Sequence, residues 1–422
     1  MKTAYYEPTI CMCTPENPNT MGVCVTLTEP VDGALLEAAV ERLRERFPYF
    51  YVRVKLDGNN LYTAPNPLPV TVRNTWAPIL LNSEEANYHM LAFKYEGERL
   101  CAEVCHSITD GAGFLPYFKS VLYCYLSAAT GQCFDPTGFR LPGQAIPEAE
   151  TGDPFAHLDL DAAEEPFYQK PPVTDFYRLA KTPADDGGKI FYLRLPEAEV
   201  MRYCKENDGS PNVLVSVLLA RAIRRMDPDS DKTVSAVVAM DHKAQLGSRE
   251  NYRMFVDTAI VDMPKAQADY DIMKACTKAR GQLMLQAQPE NSLYTLKTRK
   301  LGYEKMEQLP LQMCVDLVKK AIGQARGTVS VSYADSRSFG PLDPYIRELY
   351  LLSEPSVTDI MCEVACINHS FFLALFNACS QEAFLKAFID ELDATGIPCE
   401  VMRTEPYHLC GVRYDGLEGV KL

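Results

Sequence analysis

The sequence predicts an α/β protein of two lobes joined by an irregular connection, and three observations predict it. The chain has 422 residues, whereas one core usually serves about 100–200. Strand-like and helix-like patterns alternate in both halves. Between the halves, from about Phe139 to Gly188, Pro, Gly, Asp and Glu dominate and apolar periodicity disappears. The expected lobes are residues 1–175 and 176–422, with the binding pocket at their interface.

The elements follow in order. Leu36, Ala39, Val40, Leu43 and Phe47 repeat at helical spacing, with Asp32 as N-cap and Pro48 as the stop. Two hairpins follow. The first joins residues 49–56 and 61–64 through Asp57-Gly58-Asn59-Asn60, and the second joins 88–95 and 99–105 through Glu96-Gly97-Glu98. A helix beginning near Gly113 has one apolar face, made by Phe114, Phe118, Val121, Leu122 and Tyr125. Beyond the connection, residues 189–195 read as a strand. Ser210-Pro211 opens a helix through Met226, with Ser as cap and Pro at the first helical position. Residues 233–240 and 254–261 read as buried strands, and 270–286 and 291–325 as helical. Strands return at 328–333, 346–352, 358–364 and 371–375. Phe384, Phe388 and Leu392 mark a last helix.

Composition excludes several function classes. An apolar fraction of 47% and a charged fraction of 23% are those of an ordinary globular protein. A net charge of -14 argues against a sequence-independent grip on nucleic acid and against docking on anionic lipid. A local basic pocket for a phosphorylated ligand is compatible with it, since net charge is a global sum. Residues 1–24 carry one Lys and no apolar run, so no signal peptide is expected. The longest apolar stretch, near 213–220, is far shorter than the ~20 residues of a membrane span. The 15 cysteines are odd in number and scattered, which reads as mostly buried thiols of a reducing compartment. A cytoplasmic location is the resulting expectation.

Chemistry concentrates at one histidine. The chain has 6 histidines, and His106 is set apart by its surroundings. It ends the strand at 99–105 and continues the face of Leu100, Ala102 and Val104, so its ring points inward. The polar turn Ser107-Ile108-Thr109-Asp110-Gly111-Ala112-Gly113 follows, and then a helix. An imidazole suits proton abstraction near neutral pH. Asp110 is expected to hold the turn, by bonding its backbone or pairing with an Arg. Gly111 is expected to grant a backbone angle that other residues resist. Taken alone, a histidine at a strand end is more often structural than catalytic.

Competing motifs are poor. Cys11 with Cys13, Cys101 with Cys105, and Cys362 with Cys366 lack the paired close spacings of a zinc site, so no metal is expected. Gly111-Ala112-Gly113 lacks the third glycine of a dinucleotide loop. There is no Gly-x-Ser-x-Gly elbow and no P-loop. Asn368-His369-Ser370 matches a glycosylation sequon that has no export signal to accompany it.

His106-x-x-x-Asp110-Gly111 at a strand end resembles the active-site motif of the chloramphenicol-acetyltransferase-like superfamily. That group includes CoA-dependent acyltransferases, alcohol acetyltransferases, wax-ester and polyketide-associated acyltransferases, and the condensation domains of nonribosomal peptide synthetases. Pro30-Val31-Asp32 and the helix ending in Arg46-Phe47-Pro48 resemble its opening helix. Residues 238–243, Val-Ala-Met-Asp-His-Lys, resemble the segment after its central helix. Ser330-Val331-Ser332-Tyr333 resembles a late strand that lines its tunnel. Two departures stand out. Cys105 replaces the first of the two histidines many members carry, and Ser338-Phe339-Gly340-Pro341 only faintly echoes the plant-type Asp-Phe-Gly-Trp-Gly.

The resemblance implies a two-lobe fold with an active-site tunnel, no tightly bound cofactor, and acyl-CoA as donor substrate. His106 would take the proton of a small alcohol or amine as it attacks the thioester carbonyl, and then protonate the departing thiolate. Ser332 and Tyr333 are the implied oxyanion donors. Asp241 and His242 are implied at the tunnel mouth, with Lys243 meeting a CoA phosphate. An acyl carrier protein as donor partner is the alternative, and a ligand-binding member without turnover is a third reading. Cys105, the neighbour of His106 on a strand, is expected to face away as a packed thiol.

Overall fold

In the computed structural model the described residues are 10–11, 13, 19–57, 60–156, 158–166, 168, 175–179, 188–243, 247, 249–324, 327–334, 338–353, 358–377 and 382–409. The turn residues Gly58 and Asn59, His157, and Ala325 at the end of an expected helix lie outside them.

The first half contributes β1 (Thr20–Leu27), α1 (Gly33–Arg42), β2 (Val52–Asp57), β3 (Asn60–Pro65), β4 (Thr71–Asn74), β5 (Leu91–Glu96), β6 (Arg99–Cys105), α2 (Gly111–Thr130) and α3 (Glu148–Thr151). Next come β7 (Lys189–Pro196), α4 (Glu197–Glu206), α5 (Pro211–Met226), β8 (Val234–Asp241), β9 (Val256–Met263), α6 (Ile272–Gln286), α7 (Pro289–Met306) and α8 (Leu311–Gln324). The remainder is β10 (Val329–Tyr333), β11 (Ile346–Ser353), β12 (Ile360–Ile367), β13 (Ser370–Asn377), α9 (Glu382–Thr395) and β14 (Glu400–Pro406).

Two main sheets result. The first has the order β11-β1-β6-β5-β4, and the second β14-β7-β13-β12-β10-β8-β9; β2 and β3 form a separate hairpin. β1 is buried along nearly its whole length because it is flanked by β6 on one side and β11 on the other, both antiparallel. β11 therefore reaches the first sheet from the far side of the 175/176 division.

The second sheet separates two cores. Phe191, Leu193, Leu195, Val364, Cys366 and Leu373 pack with Val213, Leu218, Phe384 and Phe388 of α5 and α9. Alternate residues on the same strands, Ile190, Tyr192, Ala365, Ile367, Phe372 and Ala374, join the core of the first sheet. Tyr350 of β11 meets Tyr192 and Phe372 edge-on, with ring centroids 4.7 and 5.4 Å apart. This is the period-two rule of strands applied to a sheet buried on both faces.

The irregular connection is anchored by charge. Arg46 holds Glu150 through two bonds of 2.6 and 2.9 Å. Tyr49 also donates to that carboxylate, and Arg140 lies 3.0 Å from it. Phe47 packs against Tyr117 of α2, 5.1 Å between centroids.

Some expectations are corrected. The helical pattern at 291–325 is two helices, α7 and α8, interrupted before Leu311 because Pro310 has no N–H to continue the ladder. Ser210 precedes α5, but its hydroxyl donates to Asn212 Oδ1 at 2.6 Å instead of capping the helix. Cys24 and Cys101, directly opposite each other on β1 and β6, form a disulfide; the described remainder of the cysteines are free. Asp32 caps α1 as expected, accepting from Leu35 N at 3.1 Å. Among the described residues no helix is long and apolar enough to cross a membrane.

Candidate active site

His106 follows directly on β6, and its backbone N–H donates to Asn19 O at 2.8 Å. Its Nδ1 lies 2.9 Å from the carbonyl oxygen of Thr109. A carbonyl only accepts, so Nδ1 carries the proton and Nε2 of the neutral ring carries the lone pair. That is the tautomer required of a base acting through Nε2. The supporting carbonyl is itself held in place, because Thr109 Oγ1 donates to Tyr252 O at 2.7 Å. His106 is half-buried within a turn whose other members from Ser107 to Asp110 are buried.

Asp110 is the N-cap of α2 and is fully buried. Its Oδ1 accepts from Gly113 N at 2.8 Å and from Lys243 Nζ at 2.5 Å. Its Oδ2 accepts from Phe255 N at 2.8 Å. One carboxylate thus ties the start of α2 to the segments that follow β8 and precede β9. The cationic partner is Lys243 and not an arginine.

The glycine expectation moves by two residues. Gly111 has no left-handed backbone angle, and a Cβ there would meet nothing within 4 Å. Gly113 is the constrained position, since a Cβ would lie 2.1 Å from Tyr252 O and 2.7 Å from Thr109 Oγ1. Only glycine lets α2 approach the Tyr252 backbone this closely.

The residues implied at the substrate end divide. Ser332 and Tyr333 are neighbours on β10, so they face opposite ways. Tyr333 packs with the helix-side core and lies 6.0 Å from the Phe371 ring. Ser332 faces the first lobe, next in register to Glu363 of β12, and its hydroxyl bonds that carboxyl. Lys243 is buried and committed to Asp110, which removes it from the role of CoA-phosphate ligand. Asp241 is exposed and accepts from Lys243 N at 2.9 Å. His242 is fully buried, with Nδ1 2.9 Å from Ser292 Oγ, so it does not line a mouth. Cys105 is buried with its Sγ 3.3 Å from Cys13 Sγ, and burial pushes its thiol well above the ordinary range.

Glu363 is a site residue that the sequence reading passed over. It is 5% exposed. Ser353, at the end of β11, donates to its Oε1. Ser353 and Val104 both pair with Met21 of β1, so Ser353 shares a face with Val104 and with His106 two residues on. Burial pushes the Glu363 carboxyl up, while bonds from Ser353 and Ser332 and the His106 imidazole pull it part of the way back. His106, Ser332, Ser353 and Glu363 therefore form one cluster drawn from both sheets. A separate cavity of about 510 Å³, lined by Arg221, Tyr270, Gln282 and Glu391, lies on another face, between α5, α6 and α9.

No family model matches the sequence, and no curated protein matches it. Solved structures do. F. sporotrichioides TRI101, complexed with coenzyme A and T-2, matches with a TM-score of 0.59 over 93% of this chain and 98% of its own, at 12% identity. Polyketide synthase associated protein 5 from Mycobacterium tuberculosis gives 0.58 over 88% and 93%, at 16% identity. The fold is the one these solved structures have. The condensation domain of the Monacolin K polyketide synthase MokA shares it, with a TM-score of 0.53 over 89% of this chain and 92% of its own, at 12% identity. The α/β class expected from the sequence is thus the one observed, built on two main sheets. At these identities the likeness is one of fold.

Proposed function

We propose that this chain is an acyltransferase of the cytoplasm that moves an acyl group from acyl-CoA to a small alcohol or amine, with His106 as general base. The observation that carries the reading is the 2.9 Å bond from His106 Nδ1 to the Thr109 carbonyl, which leaves Nε2 as the proton acceptor beside a cluster drawn from both sheets. In this reading residues 1–175 and 176–422 form two lobes enclosing a tunnel, with β11 of the second segment completing the sheet of the first, and donor and acceptor entering from opposite ends. Nε2 takes the acceptor's proton as oxygen or nitrogen attacks the thioester carbonyl, and the imidazolium returns it to the departing thiolate. The oxyanion needs a donor aimed at it. Ser332 has a hydroxyl on the right face, which would turn from Glu363 to the oxyanion, whereas Tyr333 packs in the helix-side core. Asp110 positions the turn and takes no proton. That TRI101 binds coenzyme A supports CoA as the donor. The shared fold of the MokA condensation domain supports a carrier-bound thioester as the alternative.

The test is thiol release from acetyl-CoA in the presence of an acceptor mixture, run beside the same acyl group on a phosphopantetheinylated carrier. His106→Ala is expected to lower turnover by about 10²–10⁴-fold, the scale of general base catalysis, with little change in melting temperature. Wild-type turnover in that variant would sink the mechanism. Release from the carrier alone would reassign the donor, and release from neither would leave a binding protein.

A further inference from the structure

The buried carboxylates among the described residues are Glu103, Asp110, Glu150, Asp359, Glu363 and Glu391. All but one hold a lysine or arginine. Glu103 has Lys94 and Asp110 has Lys243. Glu150 has Arg46, Asp359 has Arg178, and Glu391 has Arg225. Glu363 has no lysine or arginine among the described residues; its partners are the hydroxyls of Ser353 and Ser332 and the imidazole of His106. A carboxylate withdrawn from water without a cation is costly, and one that sits beside a catalytic base is a candidate for function.

We infer that Glu363 receives the ammonium group of a cationic primary amine, which makes amines, rather than alcohols, the acceptor class of this enzyme. The inference rests on the acyl transfer proposed above and narrows its acceptor. The proton count supports it. An alcohol loses one proton on acylation, so one base suffices. A primary amine at neutral pH enters as R–NH₃⁺ and must lose two, the first to expose its lone pair and the second as the amide forms. The cluster offers two acceptors, His106 after β6 of the first sheet and Glu363 on β12 of the second. The Glu363 carboxylate takes the first proton and becomes a carboxylic acid, a form that burial favours. Nitrogen then attacks the thioester carbonyl while His106 Nε2 takes the second. The carbon–sulfur bond breaks, and the imidazolium protonates the thiolate. Glu363 releases its proton to water as the product leaves. The sum is R–NH₃⁺ plus acyl thioester giving amide, free thiol and H⁺, with no other reactant.

The position also fits. His106, Ser332 and Ser353 are half-buried while Glu363 is buried beside them, so a small ammonium would reach the acid by displacing the serine hydroxyls that bond it. An uncharged hydroxyl makes no ion pair there and leaves the acid without a counter-ion.

The experiment compares acceptors of one carbon skeleton, phenethylamine with 2-phenylethanol and hexylamine with hexan-1-ol, using acetyl-CoA and the full chain. The wild-type enzyme is expected to favour the amine. Glu363→Gln keeps the shape and lowers kcat/KM for the amine by about 10- to 100-fold, the scale of a bond to a charged group, and the loss for the alcohol is expected to be clearly smaller. Glu363→Asp keeps the charge and is expected to retain the amine preference, which controls for a packing effect. Equal losses for amine and alcohol, or an alcohol preference in the wild type, overturn the inference. Calorimetric binding without donor separates this failure from failure of the transfer reading. An amine preference that Glu363→Gln abolishes supports the carboxylate's role even if no acetyl group moves. Equal affinities, no binding within either pair, or a preference that survives Glu363→Gln overturn it.

Discussion

Gly111 and Gly113 stand two residues apart beside the proposed base and have opposite reasons to be glycine. An alanine Cβ at 113 would lie 2.1 Å from a backbone oxygen of Tyr252, and backbone cannot step aside as a side chain can. Gly113→Ala is therefore expected to cost about 1–3 kcal/mol or more and to disturb the Thr109 bond that supports His106. Gly111→Ala meets nothing and adds a better helix former, so its melting temperature should equal or exceed that of the wild type. Thermal melts of the two variants check this; a Gly113→Ala protein as stable as the wild type would show that the close approach is dispensable. Residue spacing made His106 and Asp110 legible, since strand end, polar turn and helix start are local features. Strand alternation allows only one of Ser332 and Tyr333 to face the base, but which one is settled by the packing of Tyr333 in the helix-side core and was not legible. Glu363 announced itself only as a lone acid within the apolar run of β12. What it faces depends on how two sheets meet, which no local pattern encodes. Lys243 has no local clue to its partner, since Asp110 lies 133 residues away.

Asp110 acts at the scale of elements, because its two oxygens join α2 to the segments around β8 and β9. Asp110→Asn can keep the cap on Gly113, but it leaves the buried Lys243 ammonium without a counter-charge. Removing one partner of a buried pair typically costs about 3–5 kcal/mol, so the variant should melt well below the wild type and lose activity with it. Loss of activity at an unchanged melting temperature would move Asp110 into the chemistry. The elements that went unread in the sequence share a cause. β1 is buried on both faces, so it lacks the alternation that marks a half-exposed strand. β14 is an edge strand whose contacts are ionic, Arg403 to Glu348 and Glu405 to Arg99, and not an apolar stripe. β4 has only four residues, and α4 is the first of two helices crowded between β7 and β8. The strands and helices that were read carry strong apolar patterns and clear stops.

At the scale of the whole molecule, two buried histidines set the response to acid. Burial lowers His89 to about 4, with Nε2 2.7 Å from Leu68 O. Burial, with Lys94 beside it, lowers His408 to about 3. In the unfolded chain histidine titrates near 6.5. Between those values the unfolded state binds more protons, so stability is full above about 6.5 and falls as the pH drops toward 4. His89 alone accounts for about 3 kcal/mol across that window. Glu150, held below the usual carboxylate range by Arg46, Tyr49 and Arg140 against the opposing effect of burial, adds a further loss once the pH falls below about 4.3. Urea midpoints at pH 7.5, 6 and 5 should decline steadily, and His89→Gln should flatten that decline; an equal slope in the variant would place the acid response elsewhere. The placement of β11 has a consequence for biogenesis. β1 emerges early from the ribosome, but its outer partner is not made until residue 353 has been translated. Leu349, Tyr350, Leu351 and Leu352 of the first core arrive with it. The first sheet therefore cannot close until β11 has been made, and β1 keeps an open edge until then. During that interval a nascent chain carries an unpaired hydrophobic strand, the condition in which chaperones are recruited. Expression of residues 1–175 alone should then give an aggregating product without a cooperative melt, and a monomeric fragment that melts sharply would contradict this order of assembly.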